Sequence, residues 1–192
     1  MLLSLLLITF CYIVGALPTS YLLVRFMLGK DIRMMGSGNS GATNTGRFLG
    51  SGGFAFVLII DAIKAFLALF LTALFCGHEP TTMLCATAAV YFGNAYSPFI
   101  GFAGGKGVAT TVGIMLYLFP FWLFLASAIA FVAIATRMQR IDIASLGASA
   151  LAPALLFITG HGAHTVLVAL AIAVWIWMRH RDNILSLMRR RA

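Results

Sequence analysis

The sequence predicts an all-α, polytopic membrane helix bundle with seven transmembrane helices, its N-terminus outside and its C-terminus cytoplasmic, and three features of the 192 residues carry that expectation. The composition is 61% hydrophobic and only 9% charged, with a mean hydropathy of +1.01, whereas soluble domains carry about 25% charged residues. Apolar runs such as 54–75 and 108–135 exceed what one soluble core could hide, so they face lipid. Thirteen Lys and Arg against five Asp and Glu leave a formal charge of +8, and these bases border the apolar runs. That placement suits lipid headgroups and phosphate-bearing substrates and argues against nucleic acid as a partner.

A crossing helix needs about 20 apolar residues, fewer inside a bundle. Charged or Gly/Pro-rich breaks divide the chain into spans at 2–28, 54–76, 81–100, 108–118, 121–136, 144–159 and 163–179. The first lacks the basic leader of a signal peptide and continues apolar past Tyr12 to Leu28, so it is expected to be retained. At about 1.5 Å per residue, 108–136 is too long for one crossing and short for two. A break at Phe119-Pro120 resolves it, because a single crossing would separate Lys106 from Arg137 and Arg140. Seven crossings gather Arg25, Lys30, Arg33, Arg47, Lys106, Arg137, Arg140, Arg179, Arg181, Arg189, Arg190 and Arg191 at the inner face and leave only Lys64. The outer turns at 77–80 and 160–164 carry no Lys or Arg, and His161 and His164 there receive no role. With no repeat, linker or low-complexity tract, 1–192 reads as one membrane domain. Cys11, Cys76 and Cys85 lack metal-binding spacing, and no metal or cofactor is expected.

Chemistry is expected in the inner connections. In Met35-Gly36-Ser37-Gly38-Asn39-Ser40-Gly41-Ala42-Thr43-Asn44-Thr45-Gly46-Arg47, glycines permit φ > 0, so that backbone N–H groups can converge on an anion while Thr43, Asn44 and Arg47 add donors. Gly101-Phe102-Ala103-Gly104-Gly105-Lys106-Gly107 opens the fourth span. Its glycines allow close approach of a ligand, and Lys106 places a charge beside a helix N-terminus. Lys106 is followed by Gly107 rather than Ser or Thr, so the loop is no P-loop and ATP hydrolysis is not indicated. The third connection holds Arg137, Arg140, Asp142 and Ser145, and the fourth is His180-Arg181-Asp182-Asn183. The terminal Arg189, Arg190 and Arg191 fit a lipid anchor. Two glycine nests, several cations, a histidine and amides at one membrane face suit a substrate with more than one phosphate. Asp61 and Lys64, three apart in the second span, share a helix face and can pair as an intramembrane structural brace.

In these residues the chain resembles the bacterial acyl-phosphate:glycerol-3-phosphate acyltransferases called PlsY, over nearly its whole length. The most specific parts are Gly36-Ser37-Gly38-Asn39-Ser40-Gly41-Ala42-Thr43-Asn44, Gly104-Gly105-Lys106-Gly107-Val108-Ala109-Thr110 and His180-Arg181-Asp182-Asn183-Ile184. Gly15-Ala16-Leu17-Pro18 and Asp61-x-x-Lys64 extend the likeness. The resemblance implies seven helices, an extracytoplasmic N-terminus and a place in the bacterial inner membrane with a cytoplasm-facing site. It implies transfer of a fatty acyl group from acyl phosphate to the 1-hydroxyl of glycerol 3-phosphate. Lysophosphatidic acid and phosphate would be the products, in the first acylation of phospholipid synthesis. By position, Ser37, Lys106, His180 and Asn183 take catalytic roles, while Gly38, Asn39, Gly41, Thr43, Asn44, Arg47, Gly104, Gly105, Gly107 and Ser145 bind substrate or phosphate. Expected partners are the two substrates, membrane lipids and the enzymes that supply acyl phosphate. The chain departs from the family in having Asn94 for a usual His and Ala103 for a frequent Lys. Two extra residues before Ser145 leave Ser149 as the other candidate for that role.

An acyl phosphate is already activated, so direct attack by the hydroxyl suffices, with proximity and fixed donors lowering the barrier. Lys106 and Arg47 would screen two phosphates from each other. Either His180 or the substrate's own phosphate could take the proton. Neither a His-x-x-x-x-Asp signature of thioester-using acyltransferases nor a Gly-x-Ser-x-Gly elbow is present, which favours a phosphate-activated donor. The alternative is a transporter or channel for an anionic phosphorylated metabolite. A non-catalytic lipid-binding protein would explain the basic border but not the nests.

Overall fold

A computed structural model of the chain describes residues 1–189. Every regular element among them is helical: α1 (Leu2–Ala16), α2 (Thr19–Leu28), α3 (Ala42–Cys76), α4 (Pro80–Ala95), α5 (Val108–Leu118), α6 (Phe121–Met138), α7 (Ile141–Ile158), α8 (Ala163–Arg179) and α9 (Arg181–Arg189), with 3-10 turns at Ile32–Met34 and Pro98–Ile100. Two compact units result, Met1–Leu118 and a second from Phe119 to the end of the described residues. Leu2–Leu28, Ala42–Cys76, Phe121–Met138 and Ile141–Ile158 are long and apolar enough to cross a bilayer, while Val108–Leu118 and Ala163–Arg179 are shorter apolar helices. Leu67, Phe70, Leu74 and Phe75 of α3 are exposed, as lipid-facing side chains are.

In the first unit, α1 packs on α4 and α3, and α3 packs on α5. Glycines set the close approaches. A Cβ on Gly15 would collide with the Val90 carbonyl, one on Gly93 with the Tyr12 carbonyl, and one on Gly113 with the Ala62 carbonyl. Helices in lipid associate by such packing because no hydrophobic force separates them from the solvent. In the second unit α7 packs against α6 and α8, and Trp177 Nε1 donates to the Leu146 carbonyl at 3.2 Å.

Two expected spans are interrupted. The apolar run 2–28 breaks into α1 and α2 at Leu17-Pro18, because proline has no N–H and its ring excludes the helical conformation before it. The exposed polarity is answered from α3. Lys64 Nζ donates to the Leu17 carbonyl at 2.7 Å and pairs with Asp61 at 2.7 Å, and Asp61 Oδ1 accepts the Thr19 hydroxyl at 2.7 Å. Both charged side chains are buried, at 8% and 6% exposure. α3 starts twelve residues before the expected 54, at Ala42, and is broken at Gly50, whose φ of 68° and ψ of −166° suit glycine. A Cβ on Gly46 would lie 3.0 Å from Phe54 Cβ, and one on Gly53 3.3 Å from Thr45 Cγ2. Residues eight apart in a straight helix are about 12 Å apart, so the arm 42–49 folds back on the remainder of α3.

The split at Phe119-Pro120 separates α5 from α6 as expected. The expected polar connection after the last span is instead helical, with α9 starting one residue beyond His180. Of the terminal arginines, Arg189 ends α9, and Arg190 and Arg191 lie outside the described residues. Cys11 is buried, Cys76 half-buried and Cys85 exposed on α4.

Candidate active site

The first loop is built around a salt-bridged turn. Asp31 caps the 3-10 turn by accepting the Arg33 N–H at 2.9 Å, and the Arg33 guanidinium meets its carboxylate through Nε at 3.0 Å and Nη2 at 2.5 Å. This guanidinium holds the Asp31 carboxyl below the usual carboxylate range, and the pairing raises Arg33 in turn. Arg33 Nη1 also donates to the Ile100 carbonyl at 2.6 Å, which ties the first loop to the second. In the sequence Arg33 reads only as a topology marker, although the Asp31-x-Arg33 spacing is an available signal.

Asn44 organises the rest of the first loop. Its Oδ1 accepts the Ser37 N–H at 3.0 Å and Arg47 Nη1 at 3.3 Å, while Nδ2 donates to the Met35 and Ile32 carbonyls at 2.9 and 3.3 Å. At 1% exposure this amide is committed within the loop. Gly36 and Gly38 have φ of 56° and 71°, and a Cβ on Gly36 would collide with Asn44 Oδ1. Gly41 is extended, with φ of −146° and ψ of 172°, and begins α3, which no side chain caps. Its carbonyl accepts the Thr45 N–H at 3.1 Å. Ser37 and Arg47 are exposed, and Asn39 and Thr43 are half-buried beside them. The loop therefore presents a hydroxyl, a guanidinium and the uncapped start of α3 together, where orphan N–H groups favour an anion.

The second loop is pinned to the end of α4. Gly104 N–H donates to the Ala95 carbonyl at 3.1 Å and Gly105 N–H to the Asn94 carbonyl at 2.9 Å. A Cβ on Gly104 would collide with the Asn94 carbonyl. Close backbone approach at these two glycines is thus to α4, where the sequence suggested approach to a ligand. Gly107, with φ of 85°, turns the chain into α5, and Lys106 just before it is half-buried. Ser40 Oγ donates to the Ala103 carbonyl at 3.3 Å, and a Cβ on Gly105 would lie 3.2 Å from the Ser40 carbonyl. The first two loops, more than sixty residues apart in sequence, meet here. Asn94 keeps Oδ1 buried with no hydrogen-bond partner among the described residues.

A separate polar cluster forms in the second unit. Arg140 grips Asp142 through Nε at 2.8 Å and Nη2 at 2.5 Å, and Asn183 Nδ2 donates to Asp142 Oδ2 at 3.0 Å. This joins the third and fourth polar segments. Pairing with Asp142 raises Arg140 above its ordinary value. Ser145 Oγ donates to the Ile141 carbonyl at 2.9 Å and is buried, whereas Ser149 Oγ donates to the Leu146 carbonyl at 2.9 Å and is half-buried. His180, 4% exposed, meets the Ile176 carbonyl through Nδ1 at 2.8 Å. A carbonyl only accepts, so Nδ1 carries a proton in this contact.

A family model described as glycerol-3-phosphate acyltransferase matches residues 5–190. The chain belongs to that family. It is 40% identical to the glycerol-3-phosphate acyltransferase of Anaeromyxobacter dehalogenans, over 98% of this chain and 95% of that one. With the Fusobacterium nucleatum glycerol-3-phosphate acyltransferase it shares 34% identity over 94% and 92%. Among solved structures it resembles PlsY (YgiH), an integral membrane glycerol 3-phosphate acyltransferase. In the glycerol 3-phosphate form of that protein the TM-score is 0.90 at 31% identity, with 98% of this chain and 93% of that chain covered. The lysophosphatidic acid form gives a TM-score of 0.87 at 30% identity. The likeness therefore spans the apolar helices and the polar loops alike.

Proposed function

We propose that the chain transfers a fatty acyl group from acyl phosphate to the 1-hydroxyl of glycerol 3-phosphate, releasing 1-acylglycerol 3-phosphate and phosphate, as the first acylation of phospholipid synthesis. The observation that carries this reading is the meeting of the first two loops, which brings Ser37, Arg47, the uncapped start of α3 and the Lys106 loop into one region of the first unit. In this reading Arg47 and Lys106 offset the repulsion of two phosphates, and Ser37, Asn39 and Thr43 donate to phosphate or carbonyl oxygens. Asn44 positions the loop, Gly36 and Gly38 provide its left-handed turns, Gly41 opens α3, and Gly104, Gly105 and Gly107 fix the backbone around Lys106.

The glycerol oxygen attacks the acyl carbonyl carbon, the new C–O bond forms as the bond to phosphate breaks, and phosphate leaves with the electron pair. No acyl-enzyme is needed. Either His180 or the substrate's own phosphate takes the hydroxyl proton. Asn183 holds Asp142, and Ser145 or Ser149 completes the set contributed by the second unit. In this reading 1–192 is a single membrane domain of seven crossings in the bacterial inner membrane, with N-terminus outside and the polar loops in the cytoplasm. There, acyl-phosphate-forming enzymes supply the donor.

Purified protein in proteoliposomes, given palmitoyl phosphate and labelled glycerol 3-phosphate, should convert the label to the 1-palmitoyl ester. Label that crosses the bilayer unacylated would favour the transporter reading and defeat this one.

A further inference from the structure

Arg140 stands at the N-cap of α7 and Asp142 in its first turn. The guanidinium takes Asp142 Oδ1 through Nε at 2.8 Å and Oδ2 through Nη2 at 2.5 Å, a two-point grip that fixes the plane of the carboxylate. Asn183 Nδ2 donates to the same Oδ2 at 3.0 Å, across 41 residues of sequence. The Asp142 side chain is 13% exposed, so this charge-assisted bond is stronger than one in open water. A carboxylate only accepts, so the Asn183 amide turns Nδ2 toward Asp142 and Oδ1 to its other side. The two ends of an amide are alike in size, and a hydrogen-bond partner, not packing, selects between them. Neighbouring groups are anchored separately. Trp177 Nε1 donates to the Leu146 carbonyl at 3.2 Å, which ties α8 to α7, and His180 Nδ1 meets the Ile176 carbonyl at 2.8 Å within its own helix.

We propose that Asp142, gripped by Arg140, is a positioning residue that holds the Asn183 amide in one of its two flipped orientations, and that turnover depends on that orientation. The assignment rests on the proposed acyltransferase function, in which Asn183 belongs to the catalytic set. A flipped amide would set its own oxygen against the carboxylate, so the bond to Asp142 opposes the flip. Acidic side chains also stabilise the first turn of a helix. That role alone predicts an effect on thermal unfolding that has nothing to do with Asn183, whereas positioning predicts a loss of kcat that passes through Asn183.

The test is a double-mutant cycle on the full chain in nanodiscs, read as acylation of labelled glycerol 3-phosphate. Asp142→Leu keeps the size of the side chain and removes the acceptor. It should lower kcat about tenfold or more, with a far smaller change in KM for glycerol 3-phosphate. Asp142→Asn still offers an oxygen to Nδ2 and should retain most of the activity. In an Asn183→Ala background, Asp142→Leu should cost nothing further. Unchanged kcat in Asp142→Leu, the same loss in both backgrounds, or an Asp142→Asn protein as impaired as Asp142→Leu would each overturn the proposal. If Asn183→Ala leaves no measurable turnover, the comparison of Asn with Leu at position 142 decides alone. Should Asp142→Leu not fold, Arg140→Gln takes its place, since it releases the grip and leaves the acceptor: a kcat loss that vanishes in the Asn183→Ala background is expected, and no loss, or one that persists there, overturns the proposal. Acylation from a donor other than acyl phosphate would defeat the donor reading, and the cycle is then read with that donor. No acylation by the unaltered chain would defeat the acyltransferase reading and this assignment with it.

Discussion

Asn44 commits its whole amide to the first loop, so its contribution is order rather than direct contact. Asn44→Ala would leave the Ser37 N–H and two carbonyls without their partner. A loss of about 1–3 kcal/mol, or roughly five- to over a hundredfold in kcat/KM, is expected, and steady-state kinetics in both substrates would measure it. The glycines separate in the same assay. Gly38→Ala forces a Cβ onto a φ of 71° and within 3.2 Å of the Arg33 carbonyl, so KM for glycerol 3-phosphate should rise. Gly41→Ala sits on extended backbone and meets only the flexible Asn39 side chain, at 3.0 Å, so it should change KM far less. At Lys106, alanine should abolish turnover and arginine should fail to restore most of it, because a planar guanidinium does not replace a compact ammonium. Near-normal turnover of a folded Lys106→Ala protein would remove that residue from the mechanism. Residue types alone marked Arg47 and Lys106 as chemistry, and the family resemblance added Ser37. They could not distinguish Gly38 from Gly41, or show that the Gly104 and Gly105 amides face α4, because those distinctions lie in backbone angles.

The interruptions of α1–α2 and α3 govern the elements. Pro18 is plain in the sequence, yet apolar residues on both sides make 2–28 look like one span. The break becomes legible only with Lys64 and Asp61 bonded to Leu17 and Thr19. Lys64→Met should cost about 3–5 kcal/mol, since it strands a buried carboxylate. Adding Asp61→Asn should recover part of that loss in thermal unfolding. Gly50 was hidden among Gly50-Ser51-Gly52-Gly53, where no pattern says which glycine turns. At the opposite end of α3, Glu79 caps α4 by accepting the Thr81 and Thr82 N–H groups at 2.9 and 2.6 Å. Those bonds lower its carboxyl from 4.5 to about 2. A depressed folded-state value stabilises above the unfolded one, so the cap is at full strength above pH 4.5 and fades as pH falls toward 2. The Tm difference between the parent and Glu79→Gln should therefore be present at neutral pH and shrink over that window. A difference independent of pH would contradict it.

At the scale of the molecule, composition and the placement of Lys and Arg announced a membrane helix bundle, and the short α5 and the split at Pro120 obey the same apolar pattern. Period and hydropathy say nothing about which polar ends meet. The Arg33–Ile100 and Ser40–Ala103 bonds, and the Asn183–Asp142 bond, appear only in three dimensions. If the proposed topology holds, single cysteines at positions 39, 106, 142 and 183, in a chain with Cys11, Cys76 and Cys85 replaced, should label only from the cytoplasmic side. Cysteines at 79 and 162 should label from outside, and outside labelling at 106 would break the topology. The proposed reaction takes acyl phosphate as donor and glycerol 3-phosphate as acceptor at these loops. The direct measurement is phosphate release from palmitoyl phosphate by purified protein, with glycerol 3-phosphate present or withheld and palmitoyl-CoA tried in its place. Release that requires glycerol 3-phosphate, matches lysophosphatidic acid mole for mole and is absent with palmitoyl-CoA is the predicted result; turnover of palmitoyl-CoA, or phosphate release that ignores glycerol 3-phosphate, would contradict it.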